Sequence, residues 1–314
     1  MNLLKPLFDL INQYIFSPVL RFFTDISGGS FAMGIFLFTL VINILLIPLS
    51  IKSQKASVQQ IRIKPKLDDL KKRCGDDKQK YQQGMQKIYT EENVSMGGGC
   101  LPMFIRLLLI MSVYYLVISP ITYLAPTVSS ETLTAATQAI EATDNYRAEL
   151  LVVEKALSPD ATDANLLAVR EGIKDIKFEI LDKIDLTKTP HFSLNFSNVT
   201  KEQALLWIIP FASFITAMFS SILSMVQQKK VNPGAPNMAG MMLTMPLISL
   251  WIAFNAPAGL GFYWACSSLI GAFIQAGVQE FYGPHKIIAT EQKKAILTTF
   301  EKEQKTKTAN ADNQ

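Results

Sequence analysis

The chain has 314 residues, 49% hydrophobic and 18% charged, with a mean hydropathy of +0.22 and a formal net charge of +4. So small a charge does not mark a nucleic-acid binder, and Cys74, Cys100 and Cys266 supply neither a disulfide framework nor a metal-ligand spacing. The two histidines, His191 and His285, fall outside the apolar blocks, and neither HExxH nor GxSxG occurs, so no enzyme chemistry, cofactor or metal is expected.

Average composition does not separate this chain from soluble proteins. The distribution does, because the apolar residues come in uninterrupted blocks. In residues 1–30, Leu7, Leu10, Ile11 and Tyr14 recur at helical spacing, with Asp9, Asn12 and Gln13 elsewhere on the wheel. That pattern predicts an interfacial amphipathic helix ending in the Asp25–Ser30 turn, and no small-residue cleavage site follows it. Residues 31–51 form the first predicted span, long enough to cross about 30 Å of hydrocarbon at about 1.5 Å per residue.

Residues 52–100 predict a cytoplasmic helical hairpin. Val58, Ile61, Leu67 and Leu70 line a first helix that Pro65 interrupts, Gly75-Asp-Asp77 turns and caps, and Tyr81, Met85, Ile88 and Tyr89 stripe the return helix. The second span is 101–124. An extracytoplasmic helical insertion follows over 125–203, read as two amphipathic helices, Glu131–Leu157 and Asp163–Ile184, parted by Ser158-Pro-Asp160. Three more spans are expected at 204–226, 238–255 and 260–280. A cytoplasmic loop (227–237) joins the third to the fourth, the turn Pro257-Ala-Gly259 joins the last two, and 281–314 is a cytoplasmic tail.

Basic residues orient the set. Residues 52–100 carry eleven Lys/Arg against six Asp/Glu, whereas 125–203 carry eight against thirteen. Lys229 and Lys230 occupy the short loop, and the tail holds six Lys against four acids. The N-terminus is therefore expected outside and the C-terminus inside. The fold class is an all-α membrane protein with five transmembrane helices.

Within this frame one residue stands out. Arg106 lies in the second span with no acidic residue beside it in that span. A charge at bilayer depth costs about 2.5–3.5 kcal/mol on insertion scales. Arg106 falls roughly 8 Å, and Asn43 roughly 12 Å, from the inner ends of their helices. Antiparallel neighbours would bring them to similar depth. Thr39 shares the face of Asn43. On the fifth span Trp264, Ser267, Ser268, Gly271 and Gln275 form one stripe, and Ser213, Thr216, Ser220 and Ser224 form another on the third. Hydroxyl stripes are also ordinary packing seams, and Arg106 is near enough to the surface to snorkel. Their conjunction at one depth favours a hydrated groove lined by Arg106, Asn43, Thr39, Trp264, Ser267, Ser268, Gln275 and Ser220.

Several motifs sit on these segments. Leu46-Ile-Pro-Leu49, Gly75-Asp-Asp-Lys-Gln79, Gly97-Gly-Gly-Cys-Leu-Pro102 and Pro257-Ala-Gly-Leu260 with Tyr263-Trp264 resemble, in order and spacing, the YidC/Oxa/Alb membrane protein insertase family. The resemblance covers roughly residues 1–124 and 200–282. It implies an insertase and chaperone of a bacterial cytoplasmic membrane, with a hydrophilic groove open to cytoplasm and lipid and closed outside. The implied partners are nascent membrane proteins and lipid, with the ribosome, the signal-recognition machinery and the Sec translocon as further candidates. Nucleic acid enters only as ribosomal RNA. Two departures stand out. The family carries its groove arginine on the first span, where this chain has Asn43, and glutamine where this chain has Arg106. Residues 125–203 replace a short connection. A small-solute transporter or channel, or a non-insertase assembly scaffold, is the competing expectation.

Overall fold

The computed structural model describes residues 5–75, 77–94, 101–142, 146–193, 199–231 and 239–311. Among them the architecture is helical with a single two-stranded ribbon: α1 (Lys5–Ile11), a π-helical turn (Asn12–Phe16), α2 (Ser17–Ile26), α3 (Phe31–Leu45), α4 (Ile47–Cys74), α5 (Lys78–Glu91), α6 (Leu101–Ile118), α7 (Pro120–Leu124), α8 (Ser130–Ala139), α9 (Ala148–Leu157), α10 (Ala164–Ile173), β1 (Glu179–Ile180), β2 (Ile184–Asp185), α11 (Lys201–Leu206), α12 (Ile208–Val231), α13 (Ala239–Asn255), α14 (Ala258–Tyr282) and α15 (Pro284–Ala311).

This is an all-α membrane protein by its helices and its surface. The stretches Lys201–Gln227 and Ala258–Lys302 are each long and apolar enough to cross a bilayer. Phe31–Leu45 and Ile47–Cys74 qualify when taken together across the break at Leu46, where Pro48 restarts the helix in its first turn. Leu107–Ile118 and Met242–Asn255 are apolar but shorter. Ile215, Met245, Leu247, Trp251 and Phe273 are all exposed, an apolar surface that water would not tolerate and lipid favours.

The chain divides into two compact bodies. The first comprises Met1–Leu45, Ile105–Val226 and Pro236–Phe273. Its core is one contiguous cluster in which Leu20, Phe31 and Phe38 of the N-terminal helices join Leu116 and Val117 of α6. Val152, Val169, Ile173 and Leu186, all from the 125–203 segment, belong to the same cluster. That segment is therefore no separate domain; it shares the core of the bundle.

The N-terminal helix is pinned by polar bonds. Asn12 is fully buried and its Nδ2 donates to the Ser112 carbonyl of α6 at 3.1 Å. Tyr123 Oη donates to Asp9 at 2.9 Å, and Ser17 Oγ donates to the Tyr123 carbonyl. The sequence placed Asn12 off the apolar stripe of its helix; in the structure it follows Phe8 by one turn on the buried face, the π turn carries that face on to Ser17, and Leu10, Tyr14 and Ile15 are exposed. Between α2 and α3 the approach is close. A Cβ at Gly34 would lie 2.2 Å from Thr24 Oγ1 and 3.3 Å from Thr24 Cα.

Residues 125–203 depart from the two-helix expectation. The first predicted helix is two, because Glu141 adopts a left-handed φ of 53° after α8. The second ends at Ile173, and the chain turns through Leu181 and Asp182, also left-handed, to pair β1 with β2 antiparallel. Glu149, in the first turn of α9, accepts from Thr122 N at 2.9 Å and Thr122 Oγ1 at 2.7 Å. It thereby caps α7, whose own N-cap residue Ser119 makes no side-chain capping bond.

The second body comprises Leu46–Phe104, Gln227–Ala235 and Ile274–Gln314. Helix α4 runs through Pro65 without a break, contrary to the sequence expectation. Gly75 ends it with φ 53°, and the Asp77 side chain caps α5 by accepting from Lys80 N at 3.0 Å. Helix α5 lies on α4 with Gly84 against Leu70, and Lys66 pairs with Glu92. Arg62 pairs with Glu291, linking α4 to α15.

Two predictions follow from these contacts. Gly34→Ala should destabilise the protein in detergent by about 1–3 kcal/mol, since the added methyl meets α2. Gly277→Ala, where a Cβ meets nothing within 4 Å, should not lower stability; thermal unfolding of the pair checks both. Burial raises the Glu149 carboxyl above its ordinary 4.5, against the opposing bonds from Thr122. Folding thus favours the protonated acid, so stability is full below 4.5 and falls as pH climbs through the raised value. The drop in Tm between about pH 4 and about pH 7 should accordingly shrink in Glu149→Gln.

Candidate substrate groove

The polar face of α3 is built by back-bonding. Thr39 is buried and its hydroxyl donates to the Ile35 carbonyl at 2.6 Å. Asn43, one turn on, is half-buried and its Nδ2 donates to the Thr39 carbonyl at 2.8 Å. This fixes the amide so that Oδ1 faces α14, where a Cβ built on Gly271 would sit 3.6 Å from it. Thr39 therefore supports Asn43 from beneath with its own hydroxyl turned into the helix.

Helix α14 is continuous, so Trp264, Ser267, Ser268, Gly271 and Gln275 share one face, and the Gly271 contact turns that face toward α3. The Trp264 Nε1 is buried without a hydrogen-bond partner among the described residues, as is Ser213 Oγ on α12. Ser267, Ser268 and Ser220 are half-buried. Helices α12 and α14 meet through Ile209 at Gly261 and through the Phe219 and Phe273 rings at 6.4 Å.

Of the eight residues singled out from the sequence, the structure joins Thr39 to Asn43 and brings Asn43 to the α14 stripe. Arg106 lies on α6, and its side chain is outside the described residues. Residues 97–100 of the glycine-rich motif also lie outside them. Gln275 belongs to the second body, on the continuation of the same helix. Sequence reasoning put Asn12 off the apolar stripe of its helix and gave no role to Ser112; their bond joins residues 100 positions apart, which no local pattern marks. No group of three or more His, Cys, Asp or Glu among the described residues could hold a metal ion.

Comparison with known proteins agrees with this architecture. Residues 22–285 match the model of the 60Kd inner membrane protein family. The chain belongs to that family, the YidC/Oxa1 family of membrane proteins. A protein of Listeria innocua named membrane protein insertase YidC 2 is 23% identical over 269 residues, 83% of this chain and 69% of that protein. A Clostridium perfringens protein named membrane protein insertase YidC is 32% identical over 118 residues, 36% of this chain and 49% of that protein. A Shewanella baltica protein of the same name is 41% identical over 91 residues, 29% of this chain and 17% of that protein.

Because the Thr39 hydroxyl serves its own helix, Thr39→Val should change stability by under about 1 kcal/mol, as calorimetry in detergent would show. Asn43→Leu, which also removes the group facing Gly271, should alter the reactivity of a cysteine placed at Ser267 toward a water-soluble maleimide.

Proposed function

We propose that this chain is a membrane protein insertase and chaperone of a bacterial cytoplasmic membrane, working without nucleotide or cofactor. Five helices span the bilayer, with the N-terminus outside and the C-terminus inside. The observation that carries the reading is the polar seam between α3 and α14, where Asn43 faces the stripe that Trp264, Ser267, Ser268 and Gly271 form. The names of the related insertases support it independently.

In this reading Arg106, Asn43, Trp264, Ser267, Ser268, Gln275 and Ser220 line a hydrated groove open to the cytoplasm and to lipid, with Thr39 holding Asn43 in place. A short hydrophilic segment of a nascent membrane protein enters the groove, which lowers the desolvation cost of its polar groups. Buried donors such as Trp264 Nε1 offer replacement bonds for those lost to water. The adjoining apolar segment then partitions into lipid by hydrophobic transfer, and the membrane potential assists acidic segments in crossing. Arg106 supplies the positive centre that keeps the groove wet and attracts such segments. Helices α4 and α5, in a segment of net charge +5 over 52–100, recruit the ribosome, the signal-recognition machinery or the Sec translocon.

The test is insertion of a small single-span protein into liposomes holding the purified chain, read by protease protection. Protection should require the chain and fall severalfold with Arg106→Gln, roughly 1–2 kcal/mol of lost stabilisation. Deletion of 77–90 should also lower it while near-UV circular dichroism shows the spans still folded. Protection that is the same with and without the chain refutes the insertase reading, and full protection by Arg106→Gln refutes the role given to the arginine.

A further inference from the structure

Residues 175–188, inside the segment that distinguishes this chain from the family pattern, run across the outer starts of two helices. On one side Lys177 bonds the Gly29–Phe31 corner twice: its N–H donates to the Gly29 carbonyl at 2.8 Å, and its carbonyl accepts from Phe31 N at 3.0 Å. On the other side Ala258 N donates to the Lys188 carbonyl and Gly259 N to the Leu186 carbonyl, both at 2.8 Å. The first N–H groups of α3 and α14, which a helix cannot satisfy itself, are thus met by one continuous piece of backbone.

Side chains and glycines are fitted to that crossing. Phe178 stacks edge-on against Phe31 with ring centroids 5.4 Å apart, and Leu186 is fully buried. A Cβ at Gly29, which has φ 82°, would lie 1.9 Å from the Asp175 carbonyl oxygen, and one at Gly259 would lie 3.3 Å from that of Leu186. A glycine thus stands beside the crossing backbone near the start of each helix, two residues before α3 and at the second position of α14. Within the crossing, β1 pairs with β2, Leu186 N donates to the Phe178 carbonyl at 3.0 Å, and Asp185 Oδ1 accepts from Thr187 N at 2.8 Å and Thr187 Oγ1 at 2.6 Å. The piece is internally braced.

The two attachment points are matched to the seam. Phe31 precedes Asn43 by twelve residues, and Gly259 precedes Gly271 by the same number. At the helical rise, both lie roughly 18 Å from the point where Asn43 faces Gly271. The backbone bonds of 175–188 therefore tie the two helices together at matched distances from that point.

We infer that residues 175–188 are a positioning strap that fastens the outer ends of α3 and α14 and so sets the width of the polar seam between them. Its value to substrate insertion rests on the reading proposed above; the strap itself does not.

The strap is tested with the full chain in liposomes, its native cysteines replaced by serine and Asn43→Cys combined with Gly271→Cys. The rate of oxidant-driven disulfide formation reports how often the two positions meet. A protease site is inserted between Leu181 and Asp182 at the exposed hairpin tip and cut after reconstitution, which separates the α3 half of the strap from the α14 half in an already folded protein. A second variant, Gly29→Val, pushes the Asp175 carbonyl away from the α3 corner. Cutting, and Gly29→Val where it folds, should each slow the cross-link about tenfold by lowering the effective concentration of the pair. An unchanged rate in the cut protein overturns the strap. The readout requires no insertion activity, so failure of the insertase assay leaves it standing.

Discussion

A helix that begins at a membrane surface leaves its first N–H groups without partners, and lipid offers none in return. In this protein that requirement is met from a distance. The start of α3 is capped by Lys177, the start of α7 by Glu149 and the start of α14 by Leu186 and Lys188. All four residues lie within the segment that reads, in sequence, as an appendage. The appendage thus completes the hydrogen bonding of the bundle, and its apolar residues complete the core beneath.

The same economy of partners shapes the interior. Thr39 and Asn43 each donate within α3, so neither of these donors is spent on α14 across the polar seam. Trp264 Nε1 and Ser213 Oγ sit buried with no partner among the described residues, at some cost in desolvation. Groups left in that condition are suited to visitors that bring their own acceptors. A tightly bonded polar core would be more stable and less receptive.

Much of this was legible before the structure. Uninterrupted apolar blocks gave the helical membrane class, and the four motifs gave the family that residues 22–285 match. Asp77 after Gly75 announced the cap it makes, because a cap depends on residues within one turn. What escaped was whatever depends on phase or on distant backbone. Asn12 bonds the Ser112 carbonyl 100 positions away, a partner that periodicity along one helix does not reveal. The ribbon at 179–185 was read as helix because its alternation is only two residues long on each strand. For Thr39, sequence gives the face it shares with Asn43 and not the bond its hydroxyl makes to the Ile35 carbonyl.

The shared core also has a bearing on the order in which the chain assembles. Phe31 is packed by Phe178, and the start of α14 is held by Leu186, so contacts of the first body join residues 147 and 73 positions apart. Such long loops close late, after the intervening chain has been delivered. In the topology proposed, delivery would include carrying an acidic segment with thirteen carboxylates across the bilayer before the first span can acquire its cap. In the topology proposed, the protein cannot finish its own folding from one side of the membrane, and its biogenesis depends on the kind of translocation step it is proposed to perform for others.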